Sequence, residues 1–186
     1  MTRIKLRPIR IDDAERCLRW VSDPAVHAFL GLLEPARTLE QERSWIANIL
    51  TDKEHQSAFV IENEAGDPIG TCGLRGINRE YGTALFGIMI GETGLWGQGY
   101  GTAATQALLD YAFGELGLDE VRLSCHRENR RALRCYEKAG FRLSSHVPER
   151  TQFGRDEVRM AIARKEWLAL RSGAKPHRET ARKTRG

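Results

Sequence analysis

The chain has no long apolar run: nowhere in its 186 residues do apolar positions approach the roughly 20 in succession that a membrane-crossing helix needs. The opening segment, MTRIKLRPIR, alternates charge with apolar residues and lacks the hydrophobic stretch of an export signal. A cytoplasmic, non-membrane protein is the expectation. Cysteine is sparse, with Cys17, Cys72, Cys125 and Cys135 scattered so that no CxxC pair or Cys/His cluster arises. That spacing excludes a metal site built on cysteine. Without an export signal, free buried thiols are expected rather than two disulfides. Acidic residues are in slight deficit, 25 against 29 Lys and Arg, which gives a net charge of +4. The excess is local. Residues 171–186 hold six Lys or Arg against one acid, so the preceding part is close to −1. A nucleic-acid partner is therefore not expected of the folded part, and only the tail offers weak, salt-sensitive attraction.

What is present reads as one α+β domain over residues 1–170, followed by a basic tail, 171–186, with no apolar face to bury. RIKLRPI alternates with period two and predicts a strand. Asp12 and Asp13 read as caps of a helix through Trp20, and Asp23 with Pro24 as the start of another. Thr38 stands three positions before Gln41, a capping-box signature, ahead of Trp45, Ile46 and Ile49 on one helical face. From Ser57 the pattern changes to a meander: SAFVIEN and PIGTCGLRGI around the turn EAGD, then GTALFGIMIG. A helix from Tyr100 to Leu116, the strand EVRLSCH, the helix NRRALRCYEKAG, the strand FRLSSHV and a last strand EVRMAIAR complete the order.

GLWGQGYGTAA, residues 94–104, removes the side chain at Gly97, Gly99 and Gly101 just before a helix. A loop binding nucleoside triphosphates in the Walker A manner requires Lys and then Ser or Thr after its last glycine, and no lysine follows here. A dinucleotide fingerprint requires an acid at the far end of the next strand, whereas Asp119 and Glu120 precede that strand. Two readings stay open. The bare backbone can bring several N–H groups and a helix N-terminus to a pyrophosphate, or the glycines can serve only a tight strand-to-helix turn.

Together, IMIGETGLWGQGYGTAA, ALLDYAFGELGLDEVRL and ENRRALRCYEKAGF resemble the GNAT superfamily of N-acetyltransferases. The likeness is greatest to its ribosomal-protein N-terminal acetyltransferase (RimJ/RimL-like) branch and extends from Arg3 to Trp167. The resemblance implies a mixed, mostly antiparallel sheet with a V-shaped split between two central parallel strands, and helices on both faces. It implies acetyl-CoA as co-substrate, with the pantetheine arm against Ile88 and Ile90. The pyrophosphate would lie on backbone N–H groups of Gly97, Gln98, Gly99, Tyr100, Gly101 and Thr102, and Asn129 would add a hydrogen bond. The sequence departs from the family at Trp96, where Arg or Gln is usual, and at Ala103, where this branch often has Glu.

Tyr136, seven residues and two helical turns after Asn129, is implied as the acid that protonates the thiolate leaving group. Where relatives carry a basic Glu five residues before the Asn, this chain has Ser124; His126 shares that strand face and is the alternative base, with Glu92 a third candidate. Glu34 can attract a cationic amine, or simply be solvated. Lacking an evident carboxylate base, the site suits an α-amine, whose pKa of about 7.7–8.0 leaves it partly neutral, better than a lysine at about 10.4. The expected activity is direct transfer of an acetyl group to a primary amine in a ternary complex, a protein or peptide N-terminus among the candidates. Cys125 and Cys135 are then structural. The alternatives are a non-catalytic acyl-CoA-sensing or protein-binding module, and an RNA-associated protein that uses its tail. The oligomeric state stays open, a homodimer included.

Overall fold

A computed structural model of the chain describes residues 2–30, 38–144 and 157–173. The period-two stretches form seven strands: β1 (Lys5–Pro8), β2 (Gln56–Glu62), β3 (Pro68–Asn78), β4 (Thr83–Ile90), β5 (Glu120–His126), β6 (Arg142–Leu143) and β7 (Glu157–Ala163). They lie side by side in the order β1-β2-β3-β4-β5-β7-β6, and every pairing is antiparallel except β4 with β5. That parallel pair is registered over three residues only, Thr83–Glu120, Ala84–Val121 and Leu85–Arg122. Beyond it the strands part. The split sheet implied by the sequence is what forms.

Among the described residues six helices flank the sheet: α1 (Ala14–Val21), α2 (Pro24–His27), α3 (Leu39–Thr51), α4 (Tyr100–Asp110), α5 (Arg130–Ala139) and α6 (Arg164–Arg171). Adjacent residues of β2 face opposite sides. Val60 packs with Cys17, Trp20, Ile46 and Ile49 of α1 and α3, while Ile61 joins Leu108 and Leu109 of α4. Among the described residues no helix is long and apolar enough to cross a membrane. All four cysteines are free; Cys17, Cys72 and Cys125 are buried and Cys135 is half-buried.

Local chemistry explains the helix starts. Thr38 Oγ1 accepts the Gln41 N–H while Gln41 Oε1 accepts the Thr38 N–H, closing the expected box on α3. Asp23 accepts from the Ala25 N–H ahead of Pro24. Asp13 departs from its expected role. It makes no side-chain cap on α1, and instead receives both Arg7 guanidinium nitrogens (2.7 and 2.8 Å) and the Arg10 N–H (2.8 Å). The carboxylate thus binds β1 to the turn before α1.

Three other expectations change. The helix from Tyr100 does not stay regular to Leu116: Tyr111–Glu115 widens, with Leu116 N–H reaching the Tyr111 carbonyl at 3.0 Å. β6 is two residues long, and residues 145–156 of the expected strand and turn lie outside the described ones. Helix α6, unforeseen in the sequence, packs where α4 widens: Arg164 donates to the carbonyls of Leu118 and Phe113, and the Trp167 indole donates to Asp110. The tail beyond residue 173 also lies outside the described residues.

Burial works against ionisation of Asp13, and its bonds to Arg7 and Arg10 outweigh it, holding the carboxyl below its ordinary range. A depressed folded-state pKa contributes stability above the unfolded value, near about 3.9, that is lost as pH falls through the folded pKa. Asp13→Asn should therefore cost about 3 kcal/mol at pH 7, the scale for breaking a mostly buried ion pair. Chemical denaturation across pH should show the gap between variant and wild type closing below about pH 4.

Candidate functional site: two clefts at the fork of the sheet

Where β4 leaves β5, three aromatic rings pack together. Phe86 follows the last paired residue of β4 and meets Tyr136 of α5 with ring centroids 5.8 Å apart and Phe141 at 5.6 Å; Tyr136 and Phe141 lie 6.0 Å apart. Two cavities open at this fork. One, of about 290 Å³, is lined by Ile88, Ile90, Gly97, Gly99, Gly101 and Thr102 among others. The second, about 460 Å³, reaches under α1 and α3 and is lined by Trp45, Glu42, Ser57, Phe86 and Ser124 among others. Tyr136 lines both.

The first cleft suits a long anionic ligand. Gly97 (φ 80°) and Gly99 (φ 94°) adopt the left-handed conformation that other residues avoid, and a Cβ at Gly97 would project into open space. Gly99 is the N-cap of α4 and offers no side chain, so the first N–H groups of the helix carry no side-chain cap. Opposite them, β4 beyond Leu85 has lost its β5 partner, which leaves backbone groups to be satisfied along that edge. One is already met: the Trp96 indole N–H donates to the Ile90 carbonyl at 2.8 Å. Trp96 thus takes the family's Arg or Gln position as a structural anchor.

The other loop residues face elsewhere with their side chains. Gln98 folds back on the Gly94 carbonyl (2.9 Å), and the Tyr100 phenol donates to Glu64 (3.1 Å), so toward the cleft both have only backbone to offer. The Thr102 hydroxyl points at the Cys135 sulfur, 3.6 Å away. Asn129 is the N-cap of α5, its Oδ1 accepting the Ala132 N–H at 3.1 Å.

Tyr136 is 7% exposed. Burial, reinforced by the neighbouring Cys125 and Cys135 thiols, pushes its phenol well above the ordinary range. No buried polar atom among the described residues lacks a partner, and the Tyr136 hydroxyl makes no hydrogen bond there; it opens onto the clefts. Such a phenol stays protonated and can donate to a developing anion. Burial also raises the Cys125 thiol to about 11, which keeps it from acting as a nucleophile at neutral pH.

The candidate bases separate. Ser124 lies in the wall of the second cleft and donates to Glu157 Oε1 of β7 at 3.0 Å, a carboxylate also paired with Arg159. His126 is not among the residues lining either cleft. Its ring sits 5.9 Å from Phe29, and its Nδ1 accepts the Glu128 N–H at 3.2 Å. Glu92 is held by Arg19 and by the Trp20 indole, outside both clefts. Glu34 lies outside the described residues.

Two groups in the site had escaped the sequence reading. Glu42 is 1% exposed and contributes to the wall of the second cleft. Its signal was available: four residues before Ile46, it falls on the buried face of α3. Glu157 had no such signal, since its contact with Ser124 spans 33 residues.

The fold and this loop match known proteins. Residues 3–142 match the family model of the acetyltransferase (GNAT) domain. An uncharacterized N-acetyltransferase, p20, of Bacillus licheniformis is 30% identical over 142 residues, 75% of this chain and 79% of that protein. The spermidine N(1)-acetyltransferase of Escherichia coli (strain K12) is 26% identical over 169 residues, 89% of each. Among solved structures, the spermidine N-acetyltransferase of Vibrio cholerae in complex with CoA and spermine superposes with a TM-score of 0.78 at 24% identity, over 89% of this chain and 98% of that one.

If Tyr136 donates the proton, Tyr136→Phe should lower kcat by about 100-fold, the scale of a lost general acid. Its CoA Kd should stay within about twofold, because the ring cluster remains. Thiol release with a chromogenic reagent and calorimetric titration of CoA measure the two separately.

Proposed function

The chain belongs to the acetyltransferase (GNAT) family, an N-acetyltransferase with acetyl-CoA as co-substrate, and from that footing we propose that it acetylates the α-amine at the N-terminus of a peptide or protein. An enzyme replaces the non-catalytic alternative raised by the sequence. One observation carries the choice of acceptor. Among the described residues lining the second cleft, Glu42 is the only carboxylate and Arg75 the only cation, and Phe29, Trp45 and Ile49 add apolar wall. A single ammonium with an uncharged, partly apolar body matches that lining. A polyamine would bring several positive charges to one carboxylate and a guanidinium.

In this reading, acetyl-CoA supplies the activated acyl group as a thioester. The β4 edge at Ile88 and Ile90 and the N–H groups of Gly97–Thr102 hold the carrier in the first cleft. Glu42 attracts the amine, whose pKa of about 7.7–8.0 leaves a useful fraction neutral for attack. Ser124 takes the proton the amine sheds as it passes its own hydroxyl proton to the Glu157 carboxylate. Tyr136, in the wall shared by the clefts, protonates the leaving sulfur. Transfer is direct, and an acceptor of this kind would place the chain with the ribosomal-protein N-terminal acetyltransferase branch.

A second reading, polyamine acetylation, is favoured by the spermidine acetyltransferases among the relatives, at 26% identity and below for those named here. A panel of peptides with free α-amines, spermidine and Nα-blocked lysine, each followed by CoA release, decides between them. The peptides should show kcat/KM at least about tenfold above the others. Faster turnover of spermidine or lysine would overturn the α-amine assignment while leaving the acetyltransferase activity in place.

A further inference from the structure

The family position where Arg or Gln is usual in the phosphate loop holds Trp96 here, yet the first cleft does not lack positive charge. The Arg131 guanidinium lies 3.5 Å from the centre of the Trp96 ring. The ring is itself fixed by its indole bond to the Ile90 carbonyl. Arg134 and Lys138 join Arg131 in the lining of this cleft. Residues 131, 134 and 138 stand at i, i+3 and i+7, so they form one row along α5 facing the glycine loop. Among the described residues none of the three has an ion-pair partner.

A partly buried guanidinium stacked on an indole and lacking a carboxylate is an arrangement that waits for an external anion. Desolvation alone draws the Arg131 pKa below its ordinary value, a strain that an incoming phosphate relieves. The backbone N–H groups of Gly97–Thr102 already supply the seat for a pyrophosphate. The row on α5 adds side-chain cations to the wall of the same cleft, and CoA carries one further phosphate, on the ribose 3′ position.

We propose that Arg131, set by its stack on Trp96 and supported by Arg134 and Lys138, binds the 3′-phosphate of the co-substrate and so selects CoA over its 3′-dephosphorylated form. In this chain the cation absent from the loop sequence is supplied by a neighbouring helix, and Trp96 positions it. Planar, multi-donor guanidinium suits a phosphate better than a point charge does. The stack limits the side-chain freedom that would otherwise be lost on binding.

The inference rests on acetyl-CoA use, and calorimetric titration of the full chain with CoA, 3′-dephospho-CoA and pantetheine tests each level separately. Wild type should bind CoA at least about tenfold more tightly than 3′-dephospho-CoA, the scale of a charge-assisted contact. Arg131→Gln should bring that ratio to about two or below, chiefly by weakening CoA. Trp96→Leu should lower it in the same direction, and Trp96→Phe, which keeps a ring under the guanidinium, should largely retain it. A ratio unchanged in Arg131→Gln, or equal weakening of both nucleotides, overturns the assignment while leaving CoA use intact. Binding of CoA by wild type no tighter than pantetheine overturns the co-substrate reading itself, and this inference with it.

Discussion

Both clefts of this molecule depend on where two parallel strands stop pairing. β4 and β5 exchange hydrogen bonds only as far as Leu85 and Arg122. Past that point each strand still has its antiparallel partner on the outside, β3 for one and β7 for the other, so the sheet stays intact on both flanks while its centre opens. The cost of the opening is unpaired backbone in the interior of a sheet. Part is offset by the Phe86, Tyr136 and Phe141 cluster, and part by the Trp96 indole on Ile90. The remainder makes the fork a place for a ligand with amides of its own.

The same opening explains the position of Tyr136. A helix that packs into a fork presents one residue to the spaces on both sides, and α5 presents a phenol. Its burial keeps the proton on oxygen, and its place in both walls leaves the phenol facing either cleft.

Much of this was legible in the sequence because its signals were local. Thr38 with Gln41, Asp23 with Pro24, and the glycines at 97, 99 and 101 declare their geometry within a few residues. The split sheet was legible only through resemblance, since nothing in GTALFGIMIG says that its pairing ends halfway. Misreadings arose where a side chain chose a distant partner. Asp13 has the composition of a cap, but Arg7 on β1 claims its carboxylate. Ser124 donates to Glu157, a partner 33 residues away that no local pattern announces. Helix α6 was hidden because its short apolar set merges with the basic tail. It docks where α4 widens, Arg164 donating to the Phe113 carbonyl.

The three-residue seam also has a mechanical meaning. On the α4 side, one core runs continuously under both half-sheets, from Ile61 and Leu74 across to Val121, Leu123 and Ile162. On the α1 and α3 side, the core draws only on residues before β5. The two halves therefore resemble leaves joined along a short spine with padding on one face. Closing or spreading them would break few strand bonds and meet resistance mainly from the α4 face. Flexing along that spine would change the width of the second cleft while leaving the glycine loop before α4 as it is.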